Sequence, residues 1–284
     1  MANAQPVQTR RMQELLLAGG LVALTALVFW PAARWLGSEA FAKEQLKQAS
    51  LVLLFAGGWI LYEQRQALRP HFLLTNTSLG WLIGSYALAG AALLLRHPVL
   101  FLAGLVLAVG GLVHYVFGGQ AFRRSRPLLI AFGLLIICVL LFPVLDWPLR
   151  QMAGVQSAQF LKWLGLAPQL LVAPETPVRL LLILNGQTFL VATECNGFGL
   201  ITSSVLLGLI RMLYLRVHWS AFVVLLPIAA AVAFVFNFLR ISAIVILAPR
   251  FPGHYHVLHE TAGLIALYSG LGVVWWLTGW RRAR

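Results

Sequence analysis

Long apolar runs alternate along the chain with short segments that hold most of its charges. Spanning about 30 Å of hydrocarbon takes about 20 residues of helix. Eight runs approach that length, at residues 15–30, 49–62, 78–95, 99–118, 127–142, 198–214, 220–239 and 261–280. The second is short. The pattern predicts an all-α polytopic membrane protein with about eight transmembrane helices. Small-residue pairs such as Gly104 and Ala108 would let such helices pack closely in lipid.

The one sizeable polar interruption lies between Phe142 and Cys195. Within it Leu149, Met152, Val155, Phe160, Trp163 and Leu164 recur at near-helical spacing among Gln, Ser and Lys. That spacing fits an amphipathic helix lying on the outer leaflet, or a plain juxtamembrane spacer. Beyond Pro168 and Pro174, residues 178–184 and 188–193 form two apolar, partly β-branched runs separated by Asn185-Gly186. Both residues tolerate the positive φ of a type I′ turn, so the segment predicts a small extracytoplasmic β-hairpin. The chain then divides into 1–142 with helices 1–5, 143–194 with the amphipathic segment and hairpin, and 195–284 with helices 6–8.

Composition agrees, with 60% apolar and 10% charged residues and a mean hydropathy of +0.85. Collagen-like, coiled-coil and disordered classes are excluded. The formal charge of +13 would suggest nucleic acid in a soluble chain, but here it reads as a topology signal. With the N-terminus inside, twelve Lys and Arg fall on the inner side: Arg10, Arg11, Arg65, Arg69, Arg123, Arg124, Arg126, Arg211, Arg216, Arg281, Arg282 and Arg284. Nine fall outside. The acidic residues follow the opposite bias, with Glu14 and Glu63 inside and six others, Glu175 among them, outside. Both termini are therefore expected in the cytoplasm, and the loop at residues 121–127 is a short basic inner connection. Reading the first run as a cleaved signal peptide, with Pro31-Ala-Ala33 as a poor processing site, would move the basic loops to the wrong side.

Cys138 and Cys195 are too few for a disulfide framework or a Cys-rich zinc site. Cys195 stands where the hairpin ends and the sixth run begins, at the membrane-water boundary. The free N–H groups of a helix start favour a thiolate there, whereas a lone buried cysteine is more often a small hydrophobe. Neighbouring Glu194 opposes ionisation unless it points away. Arg240, in Asn237-Phe-Leu-Arg240, closes the seventh run about 30 Å across from Ser220. An arginine at that depth faces a polar interior or snorkels to headgroups, and Asn237 one turn earlier could hold it. His254, His256 and His259 follow in Gly253-His-Tyr-His-Val-Leu-His-Glu260. Their spacing is not that of a metalloprotease motif, and no second ligand cluster accompanies them. His259, which opens the last helix, is better placed as a single acid/base.

Antiparallel threading brings Cys195, Arg240 and His259 to one face. A nucleophilic sulfur, a proton-shuttling imidazole and an oxyanion-stabilising guanidinium are what acyl transfer from a peptide bond requires. The N–H groups of Asn196-Gly197 could complete the oxyanion site. These residues resemble a known family. Glu194-Cys195-Asn196-Gly197 before a membrane helix, Asn237-Phe-Leu-Arg240, and His259-Glu-Thr-Ala-Gly263 before a terminal helix are similar to the exosortase and archaeosortase family of membrane cysteine transpeptidases, over about residues 178–280.

The resemblance implies a bacterial or archaeal plasma-membrane enzyme with an extracytoplasmic site in helices 6–8. Its substrates would be exported proteins whose C-terminal tails carry a short motif such as Pro-Glu-Pro, a membrane helix and a basic cluster. By motif, Cys195 is the nucleophile, Arg240 the family's arginine and His259 the histidine before the glycine. Glu194, Asn196, Gly197, Asn237 and His256 would support substrate or oxyanion. At Asn196 the chain departs from the Ser or Thr that commonly follows the cysteine. No metal, cofactor or nucleic-acid partner is expected; membrane lipid and a cell-surface or polysaccharide acceptor are. Two rival readings are a non-enzymatic transporter or assembly subunit for surface polysaccharide, and a metal-dependent intramembrane protease built on the three histidines.

Overall fold

The computed structural model describes residues 7–66, 68, 70, 72–174, 178–251 and 253–279, with side chains from Leu16 onward. Arg69, Glu175, Arg281, Arg282 and Arg284 of the charge count lie outside the described residues, as do the side chains of Arg10, Arg11 and Glu14. The elements are α1 (Val7–Ala42), α2 (Glu44–Glu63), α3 (Asn76–Leu95), α4 (Pro98–Trp163), β1 (Gln169–Ala173), β2 (Arg179–Leu184), β3 (Gln187–Leu190), α5 (Phe198–Tyr214), α6 (Trp219–Leu247) and α7 (Tyr255–Gly279). Each of the eight apolar runs falls within a helix; the last is described as far as Gly279. Among the described residues six helices are long and apolar enough to cross a membrane, and the chain is a multi-pass membrane protein.

Two of the expected spans share the 66-residue α4, in which Gly118 breaks the helix with φ 79 and ψ 174. That backbone region is essentially open to glycine alone, so one residue turns the chain. The expected loop at 121–127 is helical instead, and its arginines lie in the first turns after the break. The expected amphipathic segment is the end of the same helix rather than a separate one. Its larger side chains, Met152, Val155 and Trp163, are exposed, while Ala153, Gly154, Ser157, Ala158 and Leu161 are buried. Small residues face the protein because β2 lies close, and a Cβ on Gly154 would stand 2.9 Å from Leu180.

Contacts divide the chain into two compact units. One draws on the described residues up to Glu39 and on Gly57–Ile136. There α3 starts in a capping box, in which Thr75 accepts from the Ser78 backbone and Ser78 from that of Thr75. Gly104 and Gly111 of α4 lie against α3: their added Cβ atoms would meet the Ser85 carbonyl and the Leu82 side chain, each at 3.0 Å. Ala108 beside them is buried.

The second unit comprises Ala40–Ala56 and Ile137–Arg284, its described residues ending at Gly279. The sheet in it is antiparallel in the order β1-β2-β3. Asn185 (φ 50) and Gly186 (φ 77) make the expected tight turn between β2 and β3. β1 is an additional strand, pairing Leu171 with Leu181. Leu180, Leu182 and Leu184 alternate into a core shared with Ala153 and Leu161 of α4, Ile241 and Val245 of α6, and Cys195. The helices α5, α6 and α7 pack against one another, with Leu200, Ala233, Ala266 and Leu267 buried among them.

Candidate active site

The sheet delivers the chain to Cys195. The Val191 N–H donates to the Leu180 carbonyl at 2.8 Å, extending the β2-β3 pairing, and a 3-10 turn over Thr193–Cys195 follows at once. Cys195 N–H donates to the Ala192 carbonyl at 2.9 Å and Asn196 N–H to that of Thr193 at 3.3 Å. Gly197 then reverses the chain into α5 with φ 77. The φ alone selects glycine, and so does the space, since an added Cβ would lie 2.7 Å from Asn237 Nδ2.

Two fully buried asparagines hold this turn from opposite sides. Asn237 Nδ2, on α6, donates to the Cys195 carbonyl at 2.9 Å. Asn196 Oδ1 accepts the Phe198 N–H at 2.8 Å, capping one of the open amides at the start of α5. Its Nδ2 donates to Asp146 Oδ1 at 2.7 Å, and Asp146 Oδ2 accepts from Arg150 Nη2 at 2.6 Å.

On the other side of the sulfur stand α6 and α7. Cys195 Sγ is 3.6 Å from His259 Nε2, and Arg240 Nη2 is 3.1 Å from the same nitrogen. A guanidinium has only donors, so Nε2 accepts from Arg240 and presents its lone pair toward the thiol as well. Arg240 Nη1 donates to the Glu194 carbonyl at 3.2 Å, tying the arginine to the backbone of the cysteine turn. A Cβ on Gly263 would stand 3.3 Å from the guanidinium carbon, so the missing side chain lets Arg240 lie flat against α7. The sequence places Arg240 at the close of its helix and His259 at the opening of the next. In the structure α6 runs on to Leu247 and α7 starts at Tyr255, because the apolar run after Arg240 continues the helix. The three groups meet all the same.

His259 lines two cavities. A larger one, of about 480 Å³, has a mixed lining: Glu44, Gln45 and Gln48 of α2 face Glu194, Asn237 and Arg240, with Leu200 and Leu264 beside them. The smaller, apolar one is lined by Phe189, Val191, Cys195, Ile241 and Tyr255. His256 lines the larger cavity from an exposed position, with Nε2 3.5 Å from Glu260 Oε1. His254 makes no side-chain contact with this group; its backbone N–H donates to the Phe251 carbonyl. Among the described residues no three His, Cys, Asp or Glu side chains gather as a metal site.

The structure adds residues that sequence reasoning passed over. Asp146 and Arg150 are two of the charges counted on the outer side, and a carboxylate and a guanidinium one turn apart at the end of an apolar run are a signal in themselves. Glu44, Gln45 and Gln48 carry no motif.

No curated protein and no solved structure matches the chain. A family model does, described as a transmembrane exosortase and aligned to residues 35–276. That stretch takes in most of the chain together with the sulfur, imidazole and guanidinium just described, and the chain belongs to the transmembrane exosortase family.

Proposed function

We propose that the protein is a membrane-embedded cysteine transpeptidase or endopeptidase that removes the C-terminal sorting tails of exported proteins. The observation that carries this reading is the convergence of Cys195, Arg240 and His259, from three separate elements, with Cys195 Sγ and Arg240 Nη2 each within 3.6 Å of His259 Nε2. Family membership supports it.

In the proposed reaction Cys195 Sγ attacks the carbonyl carbon of the scissile bond and its proton passes to His259 Nε2. Protonation removes the lone pair that Arg240 Nη2 was using. The freed donor turns to the developing oxyanion, so the step that creates the negative charge also releases the group that stabilises it. Collapse of the tetrahedral intermediate breaks the C–N bond, His259 gives its proton to the departing amine, and a thioester remains on Cys195. An amine or hydroxyl acceptor, or water, then attacks the thioester; its proton goes to His259 and on to the leaving sulfur.

The substrates fitting this site are exported proteins bearing a Pro-Glu-Pro-like motif, a membrane helix and a basic cluster. The helix docks laterally against α5, α6 and α7 with its basic end in the cytoplasm. The enzyme sits in a bacterial or archaeal plasma membrane with both termini inside and Cys195 on the outer face, where a surface polysaccharide or another acceptor takes the product. The test is co-expression with a tailed substrate, reading tail removal and, by mass spectrometry, a substrate fragment bound through Cys195. Processing that persists in Cys195→Ala overturns the proposal.

A further inference from the structure

We infer that Asp146 is a positioning residue of the reaction, acting through Asn196 to hold the cysteine turn in its productive geometry. The inference rests on Cys195 being the nucleophile. Asn196 is fully buried, and both ends of its side-chain amide are used. Its oxygen caps the Phe198 N–H and its nitrogen reaches Asp146, 50 residues earlier in the chain. The Asp146 carboxylate is itself mostly buried, with 16% of the side chain exposed, and is neutralised by Arg150 at 17%. Arg150 lies over the Trp147 ring, 5.2 Å from its centroid. Asp146, Trp147 and Arg150 thus form one patch on α4, bonded to the cysteine turn through Asn196 and packed by Trp147 against the core that holds Cys195.

Before Cys195 the turn is held by its own backbone bonds and by Arg240 on the Glu194 carbonyl; after it the side-chain anchors are the two asparagines. The sulfur sits one residue before Asn196, and Gly197, the residue after, has the permissive backbone of a glycine. Asn237 fixes the Cys195 carbonyl from the α6 side. Asn196, itself held by Asp146 of α4, fixes the Gly197–Phe198 peptide. With one anchor removed the 3-10 turn can rotate about the glycine, and a displacement of about 1 Å at a nucleophile costs on the order of 100-fold in rate. The placement also accounts for the departure from Ser or Thr at this position. A hydroxyl there could cap Phe198 N–H, but its shorter side chain does not span to Asp146; an asparagine serves both at once.

The full-length protein reconstituted with a tailed substrate gives the test, with kcat and KM for tail removal read separately and Cys195→Ala as the blank. Asp146→Ala is expected to lower kcat by about 10-fold to 100-fold with KM within about twofold. Asn196→Asp, which sets carboxylate against carboxylate, is expected to lose as much. The exchange Asn196→Asp with Asp146→Asn rebuilds an amide-carboxylate pair with the direction reversed and keeps an acceptor for Phe198 N–H; it is expected to recover about 10-fold over the Asn196→Asp single variant. Asn196→Ser should fall between the wild type and Asp146→Ala. If Asp146→Ala fails to accumulate, the exchange compared with Asn196→Asp reads the same coupling. An unchanged kcat in Asp146→Ala, or an exchange no more active than Asn196→Asp when both melt as the wild type does, overturns the inference. Activity equal to wild type in the Cys195→Ala blank overturns the nucleophile reading instead.

Discussion

The two compact units bury their polar side chains in different ways. In the unit built on Gly57–Ile136 the bonds are mostly short in sequence: Ser85 Oγ donates to the Leu82 carbonyl at 2.7 Å and Thr25 Oγ1 to that of Leu21 at 2.8 Å, with Tyr86 as a second partner of Thr25. The unit holding Cys195 has such local bonds too, as from Ser50 to Leu46 and Thr278 to Val274, but adds a set around the site that reaches across the chain. Asn237 to Cys195, Asn196 to Asp146, Cys195 to His259 and Ser157 to the Phe238 carbonyl join residues 42, 50, 64 and 81 positions apart. A bond to the residue's own helix neutralises a hydroxyl in an apolar setting and specifies nothing else. A bond between distant elements fixes where those elements stand, at the cost of leaving a buried group unpaired when either partner is lost. Close helix packing, as at Gly104 and Gly111, marks the first unit, and long-range hydrogen bonds around the site mark the second.

This contrast predicts a graded set of outcomes. The largest is for Cys195→Ala or His259→Ala, each expected to bring tail removal to background, with the double variant no worse, because sulfur and imidazole act as a unit. Arg240→Lys keeps the charge but cannot reach the Glu194 carbonyl and His259 Nε2 together; a loss of about 100-fold in kcat is expected, measured with the same substrate. Gly197→Ala meets both a left-handed φ and the Asn237 amide, and should destabilise the detergent-solubilised protein by about 1–3 kcal/mol and lower kcat as well. Gly104→Leu should cost a similar about 1–3 kcal/mol in thermal unfolding while kcat per folded molecule stays at the wild-type level. A fall in kcat there would erase the distinction between the units. Smallest is Leu94→Ala, at 85% exposure, with a change within about 0.5 kcal/mol and none in kcat.

Much of this could be read from the chain because the signals are local. Apolar runs of membrane length mark the helices, and Asn185-Gly186 marks the turn that leads into Cys195. Cys195, Arg240 and His259 each stand out against an apolar background. The sequence does not show that residues 121–127 continue a helix, since three arginines and a proline read as a loop unless Gly118 is known to supply the whole bend. β1 escaped notice because five residues between Pro168 and Pro174 are too few to display a period. Asp146 escaped because its value lies in a partner 50 positions away. Pairings of that kind are decided by tertiary packing, and no window along the chain contains both members.

The sulfur of Cys195 lies in the apolar core beneath the sheet, with 6% of the residue exposed. Thiols exposed to oxidising surroundings climb from sulfenic to irreversible sulfinic and sulfonic states unless a reductant returns them. Leu182, Val191, Ile241 and Val245 share that core with it, and a buried thiol meets peroxide and small disulfides less readily than an exposed one. As the proposed nucleophile, Cys195 is thereby sheltered by the fold itself rather than by a dedicated electron donor.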